Sequence, residues 1–350
     1  MDASSALETQ LRAVCRAAGL EPLDIEWIPG ALSLRRFARI HLRSSAPATA
    51  VARIEMPEDP AGRPAGAAPE PPHEPIRALL ERAGLPVPRR LGGDPAAGIE
   101  LLEDVGSLPL QSAAAALAPA ARADLYREAC ELVPRIQRIA RASGVAAFAR
   151  SLDAGLFAYK ADLVVRYGLA ARGRSATPAE AAAVRDTFAW IAAQMADAPQ
   201  RLAHRDFQSA NLFVRAGALR GDRLRMIDVQ GAFLAPPEYD LVCLLRDSYV
   251  ELPEAEVVAH GEAVRSALPD APDAESFARR FDLLTLTRKG KDCARFLYAA
   301  RERGDDRYLA YAPTTVRYLR RAAARASARD RRVADLAALL HELPESPCAR

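Results

Sequence analysis

The sequence predicts an α+β chain in two lobes, and three observations carry that reading. At 350 residues the chain is long for one compact core. Strand-like runs with one helix fill the first hundred residues, and helical periodicity dominates the rest. Half of the residues are apolar, at 50%, so sizeable cores can form.

Taken in order, Leu7, Leu11, Val14 and Cys15 recur at helical spacing and predict a helix over 5–19 that ends at Gly19. Leu34–Leu42 and Ala50–Met56 read as strands, the second alternating around Val51, Arg53 and Glu55. Pro57–Pro75 is dominated by Pro, Gly, Ala and Glu and predicts a surface loop. A short helix over Pro75–Ala83 stops at Gly84, and Ile99–Leu102 is a further strand.

Beyond it Leu125, Ala129, Leu132, Ile136 and Ile139 keep one helical face, with a kink expected at Pro134. Val184, Phe188, Ile191 and Met195 repeat the pattern. Short apolar strands fill 201–233, and helices follow from Tyr239, including Asp240–Asp247 and Val333–Leu343. The expected division is a lobe over 1–102, a hinge over 103–108 and a larger lobe over 109–350.

Charge is balanced: 48 basic against 45 acidic side chains leave +3, with no reason to expect a nucleic-acid or membrane partner. The cysteines, Cys15, Cys130, Cys243, Cys293 and Cys348, are scattered and lack metal-ligand spacing, so buried reduced thiols are expected. The N-terminal residues lack the basic and apolar regions of a signal peptide, and no apolar run is long enough for a membrane span. A cytoplasmic location is therefore expected.

Chemistry concentrates in two places. Residues 204–211 read His-Arg-Asp-Phe-Gln-Ser-Ala-Asn, the spacing of a protein-kinase catalytic loop. Phosphoryl transfer needs a carboxylate to orient the attacking hydroxyl and hard oxygen ligands for the metal that neutralises the phosphates. Asp206 is the candidate base and Asn211 a candidate Mg2+ ligand. Seventeen residues on, the apolar strand Leu224–Ile227 ends at Asp228, the second candidate ligand. A hairpin of Leu212–Val214 and Leu224–Ile227 would bring Asn211 and Asp228 together.

Each acidic residue alone has a bland alternative, since Asp commonly caps a turn after a strand. The ordered set favours catalysis. His204 is read as a loop brace rather than a ligand.

A nucleotide would fall to the first lobe. Pro29–Arg39 lacks a glycine-rich motif, yet its backbone amides, the Ser33 hydroxyl and Arg35 or Arg36 could cover phosphates; a hairpin with solvated arginines is equally compatible. Arg53 stands where a kinase strand carries its phosphate-pairing Lys, with a different geometry.

With these motifs on the page, the chain resembles the aminoglycoside phosphotransferase-like small-molecule kinases. Within them it is most similar to the bacterial kinases of cell-wall recycling that act on N-acetylmuramate and N-acetylglucosamine at the anomeric hydroxyl. Gly30–Arg39 looks like that group's Gly-Asp-Ala-Ser-Phe-Arg-Arg-Tyr-Phe-Arg segment, and Ile99–Gly106 like its hinge. His204–Asn211 and Ile227–Ala232 match its catalytic loop and metal motif, and Pro237–Asp247 its following helix. Departures are Ala31 for the usual Asp, Val229 for Phe, and the Pro-rich insertion.

The resemblance implies a protein-kinase-like fold, with a small antiparallel N-lobe sheet and a mainly helical C-lobe, and ATP with Mg2+ as cofactors. It implies adenine at the backbone of Glu103 and Val105, and Asp240 bracing the catalytic loop. Polar candidates for the sugar are Gln208, Gln230, Arg288 and Lys291. Arg288 would suit a carboxylate-bearing sugar, although Arg288 and Lys291 also fit a solvated helix face. Alternatives are a kinase for another hydroxyl (aminoglycoside, choline or homoserine type) and an inactive nucleotide-binding scaffold.

Overall fold

The computed structural model describes residues 3–29, 35–44, 46–56 and 70–346. It divides into two compact units.

The first unit holds helix α1 (Ala3–Ala17) and five strands: β1 (Pro22–Ile28), β2 (Arg36–Leu42), β3 (Thr49–Ile54), β4 (Arg90–Asp94) and β5 (Ile99–Glu103). The sheet runs in the order β1-β2-β3-β5-β4, and every neighbouring pair is antiparallel. Alternation decides which side chains face inward: Ala38, Ile40 and Leu42 of β2 and Ala50, Ala52 and Ile54 of β3 are buried against Leu11, Val14 and Cys15 of α1. Gly92 is required where β4 meets the end of α1, because a Cβ there would fall 2.5 Å from the Ala18 Cβ.

The second unit begins with α2 (His73–Arg82) and continues through α3 (Leu110–Ala116), α4 (Pro119–Gln137), α5 (Ala154–Leu163) and α6 (Pro178–Ala196). Helix α4 runs on through Pro134 to Gln137. Thr177 caps α6 in a reciprocal box with Glu180. Short strands follow: β6 (Arg201–Ala203) pairs with β9 (Phe233–Ala235), and β7 (Leu212–Val214) precedes β8 (Leu224–Met226), of which Leu224 belongs to this unit and Arg225 and Met226 to the first. The unit closes with α7 (Tyr239–Leu245), α8 (Glu254–Arg265), the thirty-residue α9 (Ala274–Arg303), α10 (Ala312–Arg329) and α11 (Ala334–His341).

The α+β architecture matches the sequence expectation. The structure adds β1 and β4; of the expected strand Leu34–Leu42 it describes β2 from Arg36, Leu34 lying outside the described residues. Cys15, Cys130, Cys243 and Cys293 are buried free thiols; Cys348 lies outside the described residues, as do Gly30–Leu34 and most of the Pro-rich stretch. No described helix is long and apolar enough to cross a membrane.

Candidate active site

Strand β6 delivers the chain into the loop 204–211, whose shape is set by two buried carboxylates. Asp240, in the first turn of α7, accepts the backbone amides of His204 at 2.7 Å and Arg205 at 3.1 Å. Asp247 accepts both the amide and the hydroxyl of Ser209, at 2.7 and 2.5 Å. Burial pushes both carboxyl groups above their ordinary values, and the bonds they accept pull back in the opposite direction. These bonds hold Arg205 at φ 80°, a left-handed conformation that costs an L residue about 1–2 kcal/mol. His204 is buried and meets the Phe207 ring edge-on. His204 and Asp240 therefore sit where loop bracing requires them.

The turn they hold presents Asp206. Its side chain is 31% exposed, and its Oδ1 accepts from Arg288 Nη2 at 3.0 Å. Burial alone would raise this carboxyl, but Arg288 first, then Lys291 and Arg205, hold it well below the usual carboxylate range. An ionised carboxylate so placed can orient a hydroxyl and take its proton late, when the oxygen has already become acidic. Asn211 donates its Nδ2 to the Asp206 carbonyl at 2.9 Å, which commits the amide nitrogen and turns Oδ1 into the atom able to ligate a cation.

Asp228 follows β8 with φ 63° and ψ 41°, a left-handed residue of a kind Asp tolerates. Gln230 is buried; its Nε2 donates to Asp228 Oδ1 at 2.6 Å and to Glu70 Oε1 at 3.1 Å. Gln230 thus acts on a metal-ligand candidate from within the protein. The turn from Asp228 also returns to Asp206: a Cβ on Gly231 would lie 3.5 Å from Arg205 Cδ and 3.8 Å from Asp206 Oδ2. The chemistry of the donor set, one carboxylate and one amide oxygen, fits Mg2+.

Arg288 is 3% exposed, so the solvated helix face is not what α9 presents here. Its Nη1 donates to the Arg205 carbonyl at 2.9 Å and to the Tyr239 hydroxyl at 3.5 Å. Its Nη2 also reaches Gln208 Oε1 at 3.4 Å, and its Nε lies 3.3 Å from Asp292 Oδ2. Every face of the guanidinium is taken by the catalytic loop, α7 or Asp292, which makes it a positioning group for Asp206. Lys291 keeps a 15% exposed side chain with Nζ 2.9 Å from Asp292 Oδ1.

The first unit holds the nucleotide candidates. Arg53 is buried in β3, with Nη2 2.5 Å from Glu55 Oε1 and Nη1 3.1 Å from Glu100 Oε2. Arg36 stacks over Trp27 at 4.0 Å. Glu103 ends β5, and its Oε2 accepts the Arg89 amide at 3.2 Å. Val105 follows between Asp104, whose Oδ2 accepts from Arg39 Nε at 2.7 Å, and Gly106. Ser33 lies outside the described residues.

The sequence points to no role for Asp292 or Lys160, and reads Asp247 only as one of the acidic residues a cationic acceptor would need, not as the partner of Ser209. Charged residues are rarely buried, and spacing carries no signal for the exceptions.

A two-unit α+β fold with an oriented carboxylate beside hard oxygen donors defines a phosphotransferase with a protein-kinase-like architecture. The chain belongs to the phosphotransferase enzyme family, whose profile matches residues 28–279. It is 28% identical over 275 residues to the N-acetylmuramate/N-acetylglucosamine kinase of Pseudomonas aeruginosa, covering 77% of each chain. The enzyme of that name from Neisseria meningitidis serogroup B is 35% identical over 150 residues, 41% of this chain and 42% of that one.

Among solved structures, a choline/ethanolamine kinase family protein from Mesorhizobium loti matches with TM-score 0.59 and 15% identity, over 96% of this chain and 99% of that one. The ADP-bound aminoglycoside phosphotransferase APH(2'')-Ib matches with TM-score 0.53 and 13% identity, over 91% and 97%. These structural likenesses are of fold, and they agree with the resemblance read from the motifs.

Proposed function

We propose that this chain is an ATP-dependent kinase for the anomeric hydroxyl of N-acetylmuramate, N-acetylglucosamine or both, acting in peptidoglycan recycling in the cytoplasm. The observation that carries the reading is the match over 77% of both chains to a kinase of that name, in a chain whose Asp206 is held by Arg288.

Asp206 orients the sugar hydroxyl for in-line attack and accepts its proton as the oxygen–phosphorus bond forms. Asn211 and Asp228 would hold Mg2+, which supplies neutralisation of the β- and γ-phosphate charge. Asp240 and His204 brace the loop that carries the base. In the first unit, Ser33, Arg36 and Arg53 are assigned to the phosphates and the backbone at Glu103 and Val105 to adenine. Gln208 and Lys291 are assigned to the acceptor, while Arg288 and Gln230 serve it indirectly, through Asp206 and Asp228.

A cationic acceptor such as choline or an aminoglycoside fits poorly, because Arg288 and Lys291 surround the base with positive charge. The test is turnover of labelled ATP with Mg2+ against a panel of N-acetylmuramate, N-acetylglucosamine, choline, homoserine and an aminoglycoside, with phosphorus NMR on the product. The expected product carries an anomeric phosphate, and Asp206→Asn lowers turnover by about 10²-fold or more while ATP still binds. Phosphate on choline or the aminoglycoside would overturn the acceptor class; no turnover with any acceptor would leave a nucleotide-binding scaffold.

A further inference from the structure

Four cations of the second unit crowd the catalytic loop: Lys160 on α5, and Arg288, Lys289 and Lys291 on α9. Two carboxylates bond most of them. Arg288 is held by Asp206 at 3.0 Å and by Asp292 at 3.3 Å. Lys289 Nζ lies 2.7 Å from Asp292 Oδ2 and 3.2 Å from Ser248 Oγ. Lys291 Nζ lies 2.9 Å from Asp292 Oδ1. One carboxylate thus serves three cations at once.

Lys160 has no such partner. It is 2% exposed, its Nζ makes no hydrogen bond among the described residues, and the nitrogen sits 5.3 Å from the ring centroids of both Phe157 and Tyr239. The groups facing it are Lys291 and Arg288 from α9, Cys243 from α7 and Arg205 from the catalytic loop. Burial first, and then these like charges, hold its ammonium well below its ordinary value, and the same two causes bring Lys291 down to about 8. Asp240 and Asp247 also lie at this loop, committed to the amides of His204, Arg205 and Ser209 and not bonded to Lys160. A buried amine with no bonded partner is costly to charge, and a bound anion beside it relieves that cost.

Which cation meets the anion follows from exposure. The side chains of Arg288 and Lys289 are 3% and 2% exposed and already bonded, whereas that of Lys291 is 15% exposed. We propose that Lys291, backed by the buried Lys160 nitrogen, forms a subsite for a carboxylate carried by the acceptor, so that the enzyme selects an acidic amino sugar over its neutral counterpart. This rests on the acceptor class proposed above and moves the carboxylate contact from Arg288, which is bound to the base, to its neighbour one turn face away. The charge-assisted hydrogen bond from Lys291 to the carboxylate forms on binding and no covalent step involves it.

The experiment compares KM for N-acetylmuramate, which carries a lactyl carboxylate, with KM for N-acetylglucosamine, which does not. In Lys291→Met the ratio of the two KM values is expected to rise about 10- to 100-fold, the worth of a hydrogen bond to a charged group. Lys291→Arg, which keeps the charge, should return it to within about threefold of wild type. Lys160→Met fills the same volume without the ammonium and should raise the ratio about threefold by weakening the local field. A purely structural role would change both KM values together and leave their ratio alone, which overturns the subsite. Should Lys291→Met fail to fold, the ratio in Lys160→Met decides alone. If the wild type turns over both sugars and no variant moves the ratio, only the subsite falls; if it turns over neither, the proposed acceptor class falls and takes the subsite with it.

Discussion

Arg288 Nη2 donates to Asp206 Oδ1 at 3.0 Å, from a guanidinium whose remaining nitrogens are bonded to the Arg205 carbonyl, the Tyr239 hydroxyl and Asp292. The long α9 and the short α7 are thereby tied to the loop that carries Asp206. Arg288→Met breaks a pair with one fully buried member, which costs about 3 kcal/mol, the low end for buried pairs because Asp206 is a third exposed. Turnover should fall about 10²-fold as Asp206 loses its orientation. Arg288→Lys should not rescue it, since an ammonium cannot reach four acceptors in a planar fork. Calorimetric Tm and kcat check both; a variant with wild-type kcat would show that Asp206 needs no such anchor.

Asp228 offers a cleaner separation of charge from shape. An alanine there would lose the carboxylate and also pay for a left-handed backbone, whereas Asn tolerates φ 63° almost as Asp does. Asp228→Asn should therefore keep its Tm within about 2 °C, a surface-like change of less than 0.5 kcal/mol. Its affinity for ATP should lose the dependence on Mg2+ that wild type shows, read by titration calorimetry with and without the ion. Undiminished Mg2+ dependence would remove Asp228 from the ligand set.

How much of this was legible in the sequence depended on whether a signal is local. Helix α1 announced itself through Leu7, Leu11 and Val14, and β3 through alternation around Arg53, because each buries one face of a regular element. Strand β4 reads Arg-Leu-Gly-Gly-Asp and has no strand propensity at all. It exists because β5 pairs with it and because Gly92 lets Ala18 approach, both long-range facts. Strand β1 does alternate at Leu23, Ile25 and Trp27, but Pro22 at its start and the charged Asp24 and Glu26, tolerable on an outer strand of the sheet, blur the local signal.

The same division runs through the site. The candidates Asp206, Asn211 and Asp228 stand out in the sequence because their spacing is the local pattern of one loop and one turn, whatever their roles prove to be by experiment. The burial of Arg288 is not legible there, since its partners in the loop lie 83 and 82 residues away, and a basic residue on a helix is ordinarily solvated.

Gly231 tests how closely the turn after Asp228 presses on the base. A Cβ there would make only ordinary contacts, at 3.5 Å from Arg205 Cδ and 3.8 Å from Asp206 Oδ2. Gly231→Ala should therefore retain kcat within about threefold, a cost under 1 kcal/mol. The two γ-methyls of Gly231→Val must displace one of those side chains, and kcat should fall by about 10²-fold with a far smaller change in Tm. Equal activity in the two variants would mean that the turn and the base move independently.

The last prediction concerns stability and pH, with the sign set by Lys291. Its ordinary value is 10.5, and burial together with the neighbouring Arg288 brings it down to about 8 in the fold. Between these two values the unfolded chain holds a proton that the folded chain has released, so stability rises with pH across that window. Below about 8 both states are protonated and the fold bears the whole penalty of the buried ammonium. Lys291→Met has no proton to bind, so near pH 7 it should be more stable than wild type by as much as about 3 kcal/mol. That advantage should shrink steadily above pH 8 and vanish near 10.5. Urea unfolding of both proteins at several pH values measures the difference directly, and groups common to the two cancel. A difference that stays flat from neutral pH to the top of the window would show that the Lys291 ammonium sits in the fold at no cost.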